Sequence, residues 1–539
     1  MVIHPVTNPS APATAGTADT RSGTLAGIVH DYARIHPDKT ALIFADQPRS
    51  YADLDNEIER AANGLAARGI GHGDRVALLL PNIPEFIIAY YAVMRRGAIV
   101  VPVNVLYKTE EIAYILHDSE AAALIVFAGF AAHGVLAAAQ SPSVTQVIVV
   151  GENGDMPEGT TPWAALVDGT ALPRDAVTVA PADLATICYT SGTTGRSKGA
   201  MLTHRNFIAN CEQLDAISRA CANESDTVLL VLPLFHIYAM NCALNSFLRA
   251  GATVLLIPRF EPMPVLAQMQ KHRVTYFHAA PPIFVAWANL PTLGDYDLSS
   301  VRAAFSGAAA LPVKVIERFN AAVGFEISEG YGLTETSPVT HTNFAGARTK
   351  PGTVGPPIPG VEVRLVDEDD NDVPPGTQGE IICRGENVTQ GYWRQPEASA
   401  EALRGGWFHT GDIATVDDEG YYAIVDRKKD MINVGGFKVW PREVEEVLFR
   451  HPAVREAAVV GAPDGYSGER PMAYVVTHDA PTTTAEVLTE YCREHLATFK
   501  VPRQIVFRAD LPKLPTGKVL RRVLRDEART ASEDAKEVS

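Results

Sequence analysis

Short, fully apolar runs punctuate the first half of the chain: RVALLL at 75–80, AALIVF at 122–127, TQVIVVG at 145–151 and TVLLVL at 227–232. Between them, apolar residues recur at helical spacing. A strand that is apolar on every side chain has no solvent face, so these runs predict parallel strands covered by helices on both sides. The expected fold class is therefore α/β, with a large N-terminal domain of layered α/β sheets.

The pattern changes near Lys350, where KPGTVGPPIPG and DVPPGTQGEI bring proline and glycine together. Residues from there to 425 read as short alternating strands with tight turns, a β-rich subdomain of about 350–425 closing a domain of 23–425. A charged segment, DRKKD at 426–430, is expected to be a hinge. Beyond it, WPREVEEVLFRH places Pro441 at a helix start with Val444, Val447 and Leu448 on one face, and REAAVVGA and MAYVVTH follow as strands. Residues 431–539 thus predict a small, mobile α+β domain serving as a lid. No internal repeat is visible.

A chain of 539 residues exceeds what one hydrophobic core organises, which agrees with several domains. Its formal charge of −16 repels polyanions, so a nucleic-acid partner is not expected. The amphipathic KVLRRVLR at 518–525 reads as a solvated helix face. Six cysteines at irregular spacing contain no C-x-x-C pair and read as reduced thiols of a cytoplasmic protein. Residues 1–22 lack the basic start and apolar core of a secretory signal and are expected to form a disordered tail. No run reaches the ~18 apolar residues of a transmembrane segment, since FIIAYYAVM stops at Arg95 and Arg96. A homodimer is left open.

The chemistry concentrates first in YTSGTTGRSKG at 189–199, rich in glycine and hydroxyl side chains. A nucleotide P-loop needs glycine before its lysine and a hydroxyl after it. Here Ser197 and Gly199 occupy those places, so that reading fails. The stretch instead resembles the phosphate loop of the adenylate-forming superfamily of acyl-CoA synthetases, aryl-CoA ligases, luciferases and adenylation domains, with Ser197 where proline is usual. PLFHIY (233–238), SGAAAL (306–311), YGLTE (331–335), HTGD (409–412), DRKKDMINVGGFKVWPREVE (426–445) and LPTGK (514–518) are similar to that family's other motifs, in its order.

The resemblance implies ATP, Mg²⁺ and coenzyme A as reactants and cofactor, and a two-step reaction with domain alternation. It assigns Thr190, Ser191, Gly192, Thr193, Thr194, Gly195 and Lys198 to the phosphates, and glycine there lets backbone N–H groups approach phosphate oxygens. It places Ala308, Ala309, Glu329, Gly330, Tyr331 and Gly332 around the nucleotide, with the Tyr331 ring stacked on adenine. Asp412 takes the ribose hydroxyls with Arg427 beside them, Thr334 reaches the α-phosphate, and Glu335 is the Mg²⁺ ligand, a hard oxygen donor. Lys518 becomes the catalytic lysine of adenylation, brought in by lid closure. Lys429 becomes the hinge residue whose rotation brings Gly435, Gly436 and Lys438 to coenzyme A for the second step.

The same resemblance puts the acyl pocket at PLFHIYAMNCALNS (233–246), with His236, Tyr238, Met240, Asn241 and Gly307. His236 is a candidate to position the carboxylate or gate the acyl channel, or else a packed histidine. The absence of Asp or Glu from this stretch argues against amino-acid substrates. PLFHIY with Asn241 resembles 4-coumarate ligases, whereas DRKKDMINVGGFKVWP resembles bacterial medium- and long-chain fatty acyl-CoA synthetases. The flexible, apolar Met240 suits an alkyl chain, so a fatty acid is expected, with an aryl acid as the alternative. A luciferase-like oxygenase and a non-catalytic acyl-binding protein remain as rivals, although the latter has no reason to retain Lys518 and Glu335.

Overall fold

Helix Pro84–Arg95 is buried along nearly its whole circumference, Glu85 apart, because it is sandwiched between two sheets. Phe86, Tyr90 and Tyr91 on it are fully buried, each worth roughly 1.5–3 kcal/mol in removed apolar surface. The hydroxyls of Tyr90 and Tyr91 are both satisfied by Asn245 at 3.1 and 2.8 Å. This is a computed structural model, which describes residues 23–151, 157–168, 178–190, 197–464, 467–478, 483–514 and 517–537. The tail expected at 1–22 and the phosphate-loop residues Ser191, Gly192, Thr193, Thr194 and Gly195 lie outside the described residues.

One sheet has seven strands, in the order Thr161–Pro162, Gln146–Val150, Ala123–Phe127, Arg75–Leu79, Ile99–Pro102, Leu184–Thr190, Lys198–Thr203. All of its pairings are parallel except the last. The other has eight strands, in the order Val339–Thr342, Ile327–Gly332, Ala303–Ser306, Tyr276–Ala279, Thr227–Leu230, Thr253–Leu256, Thr40–Phe44, Gln47–Ser50. Its centre is parallel and both edges are antiparallel. All four apolar runs of the sequence are strands of these two sheets.

Glu362–Val366, Gly379–Arg384, Phe408–Val416 and Tyr422–Arg427 form a separate antiparallel sheet. The smaller C-terminal domain is built on a five-stranded sheet, with Val454–Asp464 and Gly468–Thr477 as its long hairpin. Helix Pro441–Arg450 packs Val444, Val447 and Leu448 onto it, as the spacing predicts. Among the described residues no helix is long and apolar enough to cross a membrane. No disulfide joins cysteines among the described residues, and all six but Cys221 are buried.

The expectation for 518–525 needs correction on two counts. Helix Arg521–Glu537 starts only at Arg521, because Gly517 at φ +80° turns the chain and Lys513 bridges Val519. Two of its arginines, Arg521 and Arg525, do not face water as a solvated stripe either, although Arg522 does. Arg521 forms two 2.6 Å contacts with the Glu445 carboxylate, and Arg525 pairs with Asp430 at 2.5 Å.

Gly64 tests how tightly the first layer is packed. Replacing an interior helical glycine by alanine normally gains about 1 kcal/mol. Within helix Tyr51–Ala67, however, a Cβ on Gly64 would lie 2.0 Å from the carbonyl oxygen of Leu166. Gly64→Ala is therefore expected to lower the midpoint of thermal unfolding, and an unchanged or raised midpoint would show that the Leu166 turn yields freely.

Candidate active site

Carboxyl ends of parallel strands leave backbone groups free and gather loops in one place, which is where ligand sites form in α/β sheets. Here Leu184–Thr190 ends at Thr190, and Ala303–Ser306 leads into Gly307, Ala308 and Ala309. Ile327–Gly332 leads to Thr334 and Glu335, and Thr227–Leu230 leads through a short turn to His236. These segments, the four-stranded sheet and the C-terminal domain together line a cavity of about 1790 Å³. Glu329, Gly330, Tyr331, Gly332, Asp412, Arg427 and Lys198 also line it.

At one end Asp412, 3% exposed, accepts a 2.6 Å hydrogen bond from the Tyr331 hydroxyl and pairs at 2.9 Å with Arg427 Nε. The Asp412 carboxylate raises the pKa of the Arg427 guanidinium, so this cation is fixed. Ala308 takes a left-handed φ of 71°, which turns the chain beside the pocket. Glu329 accepts backbone hydrogen bonds from Leu311 and Gly352, and burial pushes its carboxyl up to about 7.

Glu335 is buried and accepts a 3.0 Å hydrogen bond from the Tyr392 hydroxyl. The face of the same ring takes the Lys198 ammonium at 5.1 Å. Tyr392 thus spans the strand after the phosphate loop and the Glu335 turn, and the backbone reinforces it, with Trp393 N–H donating to Gly199 at 2.7 Å. The pattern of apolar and polar residues gave no pointer to Tyr392. Among the described residues no group of three or more His, Cys, Asp or Glu is arranged to hold a metal alone. One buried carboxylate lining the cavity fits Mg²⁺, which typically takes one or two carboxylates and completes its shell with substrate phosphates and water.

Lys518 stands in the same cavity although it belongs to the C-terminal domain. It keeps solvent contact through the cavity but is surrounded by protein. Its enclosure, then the Arg427 guanidinium, lower its ammonium to about 8, with Asp412 opposing. Enclosure and the nearby Lys518 lower His236 to about 4, so its imidazole is neutral at pH 7. His236 Nδ1 accepts from Tyr238 N–H at 3.4 Å, which leaves the proton on Nε2. Gly517 makes the approach possible, since a Cβ there would lie 2.1 Å from Pro282 Cγ on the N-terminal domain. Lys429, in the single turn Lys428–Asp430, also lines the cavity.

Beyond His236 the wall is aromatic. Tyr238, Tyr276, His278 and Phe305 line it, with His278 stacked on Phe305 at 5.0 Å and Tyr276 stacked on the same ring at 5.2 Å. Burial lowers His278 to about 3, and its Nδ1 lies 3.3 Å from the Tyr238 hydroxyl. Gly307 faces this wall, where a Cβ would meet the Tyr238 ring at 3.0 Å.

Met240 and Asn241 are not brought to the cavity. Residues Tyr238–Asn245 form a π-helix that turns both side chains into the core. Asn241 donates to Ser337 O at 2.6 Å and Phe207 O at 3.2 Å, so it fastens the turn that follows Glu335. Gly435, Gly436 and Lys438 also lie outside the lining. The glycines, at φ 58° and 91°, make the tight turn joining Ile432–Val434 to Phe437–Val439, while Lys438 reaches Glu368 at 3.4 Å on the surface.

The family described as AMP-binding enzyme matches residues 29–393, and that described as AMP-binding enzyme C-terminal domain matches 443–518. A long-chain-fatty-acid–CoA ligase of Bacillus subtilis (strain 168) is 37% identical over 529 residues, 94% of each chain. A feruloyl-CoA synthase of Amycolatopsis sp is 38% identical over 494 residues, 92% of this chain and 96% of its own. The crystal structure of the anthranilate CoA ligase AuaEII in complex with anthranoyl-AMP superposes with a TM-score of 0.89 at 31% identity, over 95% of this chain and 98% of that one. The chain belongs to the AMP-binding enzyme family, among the acyl-CoA ligases that work through an adenylate.

Proposed function

We propose that this chain converts a medium- or long-chain fatty acid to its acyl-adenylate with ATP and then to its CoA thioester, releasing pyrophosphate and AMP. The observation that carries the reading is the meeting of Lys518, His236, Asp412 and Glu335 in one cavity although they come from two domains. The absence of Asp and Glu from 233–246 speaks against amino acids, and the fatty acyl preference draws on whole-chain likeness to long-chain-fatty-acid–CoA ligases.

In the first step a carboxylate oxygen attacks the α-phosphorus of ATP, and the bond to the bridging oxygen of pyrophosphate breaks. Two anions must approach each other, so fixed positive charge and donors aimed at the developing charge dominate the barrier. Lys518 supplies an ammonium to the carboxylate and α-phosphate oxygens, Thr334 donates to the α-phosphate, and neutral His236 offers Nε2–H to the carboxylate. Asp412 with Arg427 grips the ribose, Tyr331 with Ala308 and Ala309 encloses adenine, and Lys198 supports the phosphates. Mg²⁺ at Glu335, when bound, neutralises phosphate charge. In the second step the CoA sulfur attacks the carbonyl carbon, the thiol proton leaves to solvent, and AMP departs. Rotation about Lys429 withdraws Lys518 and brings in the Gly435–Gly436 turn with Lys438.

A second reading, an aryl acid, is favoured by one observation: the wall built from Tyr238, Tyr276, His278 and Phe305 is aromatic and suits a flat ring. Measuring pyrophosphate release with acids of increasing chain length and with cinnamates separates the two. Turnover of octanoate or palmitate exceeding that of cinnamates is expected, and turnover of cinnamates alone would replace the fatty acid reading by the aryl one.

Lys518→Ala is expected to lower adenylate formation at least 100-fold, as electrostatic groups acting in a transition state do, while sparing thioester formation from pre-made adenylate. Equal loss of both steps removes the role given to Lys518. Because the ammonium is the active form, kcat/KM for adenylation should fall as pH rises through about 8, the pKa of Lys518 in the free protein. The thioester step from pre-made adenylate should show no such fall, and a flat adenylation profile to pH 10 contradicts the assignment. Gly517→Ala carries the same signature by a steric route. Its Cβ would collide with Pro282, so adenylation drops while the second step persists, and normal adenylation by this variant shows that Pro282 gives way.

A further inference from the structure

Strand Phe408–Val416 does not pair continuously with Gly379–Arg384. Glu380 faces Ile413 and Ile382 faces His409, so the three residues between, Thr410, Gly411 and Asp412, oppose a single one and bulge out of the ladder. A bulge re-aims a side chain, and this one presents Asp412 to the cavity. The hole beneath it is filled by one carboxylate. Glu380, 5% exposed, accepts the Gly411 N–H at Oε1, 3.1 Å away, while Gly411 holds a φ of 70°. Its other oxygen, Oε2, takes the Lys428 ammonium at 3.3 Å. His409 Nδ1 stands 3.7 Å from Oε1 with no hydrogen-bond partner, so it adds no competing bond.

Lys428 immediately precedes Lys429, and Gly411 immediately precedes Asp412. The two oxygens of one carboxylate therefore reach the residue before the ribose ligand and the residue before the hinge. We propose that Glu380 is a positioning residue that couples the nucleotide grip to the setting of the hinge, holding the Asp412 bulge with one oxygen and the Lys428 segment with the other. The inference rests on the functional reading above, in which Asp412 binds ribose and Lys429 is the hinge. It acts through those residues: Glu380 lines the cavity, but Gly411 and Lys428 take its two oxygens.

The two functions of the carboxylate separate by substitution. In Glu380→Gln the amide oxygen still accepts from Gly411, but the charge that holds Lys428 is gone; Glu380→Ala loses both. With full-length protein, Glu380→Gln should keep KM for ATP within about twofold, lower adenylation kcat roughly threefold, the size expected of a pair whose lysine is half exposed, and leave thioester formation from pre-made adenylate unchanged. Glu380→Ala should in addition raise KM for ATP roughly tenfold. Lys428→Met should reproduce Glu380→Gln, and the double variant should be no worse than either single one, as expected of two partners in one interaction. Thermal melts establish that each variant is folded, and Glu380→Gln with Lys428→Met carries the test if Glu380→Ala does not fold. Wild-type adenylation kinetics in Glu380→Gln, additive losses in the double variant, or equal loss of both half-reactions overturns the coupling. A wild-type chain that forms no adenylate with any acid overturns the functional reading itself, a result distinct from the other three.

Discussion

Holding an ammonium inside a cavity that also contains a guanidinium is the constraint around which the rest of this molecule is arranged. Water is the best solvent for Lys518, and enclosure beside Arg427 pulls its pKa down to about 8. A lysine in open solvent would keep its charge to higher pH but would be screened and mobile. The cavity accepts a weaker cation in return for one whose charge stands beside Arg427 and Asp412 on the same wall. Asp412 makes this tolerable, since its carboxylate faces both Arg427 and Lys518.

Delivering that ammonium from the far end of the chain requires rigidity on one side and clearance on the other. The rigid side is the C-terminal domain, where the start of helix Arg521–Glu537 is fastened by Arg521 to Glu445 and by Arg525 to Asp430. Glu445 also accepts the Val459 N–H at 2.7 Å, so the helix start is tied to the sheet. Breaking such a largely enclosed pair leaves a carboxylate without its cation, which is costly. The clearance is Gly517, whose missing Cβ admits Pro282. Helix, turn and lysine are therefore fastened into one body.

Most of the layered fold was legible because fully apolar runs have only one stable environment, between helices in a parallel sheet. The placement of the motif residues in one cavity was legible because it depends on local geometry: Thr334 and Glu335 follow a strand end, and Asp412 sits on a bulge. What escaped is what depends on partners distant in sequence. Arg521 and Arg525 looked like a solvated stripe because Glu445 and Asp430 are invisible from the local pattern. Asn241 sits in a stretch that resembles an acyl pocket, yet the π-helix rotates it onto Ser337, and nothing in the periodicity of YAMNCALN announces the extra residue per turn. Tyr392, which holds Glu335 and Lys198 together, is separated from both in sequence and carries no charge to draw notice. Glu380 reads from the sequence as an ordinary strand residue, and only the mismatch in strand register exposes the hole it fills.

The contacts across the domain boundary differ in kind from those within the lid. Lys438 and Glu368 meet with side chains 60% and 78% exposed, where an ion pair contributes well under 1 kcal/mol. Lys314 Nζ donates to the Arg450 carbonyl at 2.9 Å and Trp440 Nε1 to Gln378 at 3.0 Å, two further polar bonds that water can replace. Nearer the hinge, Arg442 is held more firmly, donating its N–H to Asp426 at 2.9 Å and a guanidinium N–H to the Ile424 carbonyl at 2.6 Å. On the proposal that Lys429 is the hinge, strong attachment close to it and weak attachment far from it is the arrangement that lets a body turn without detaching. A lid bound across its whole face by apolar burial would hold Lys518 in place but would make the second half-reaction wait on its release.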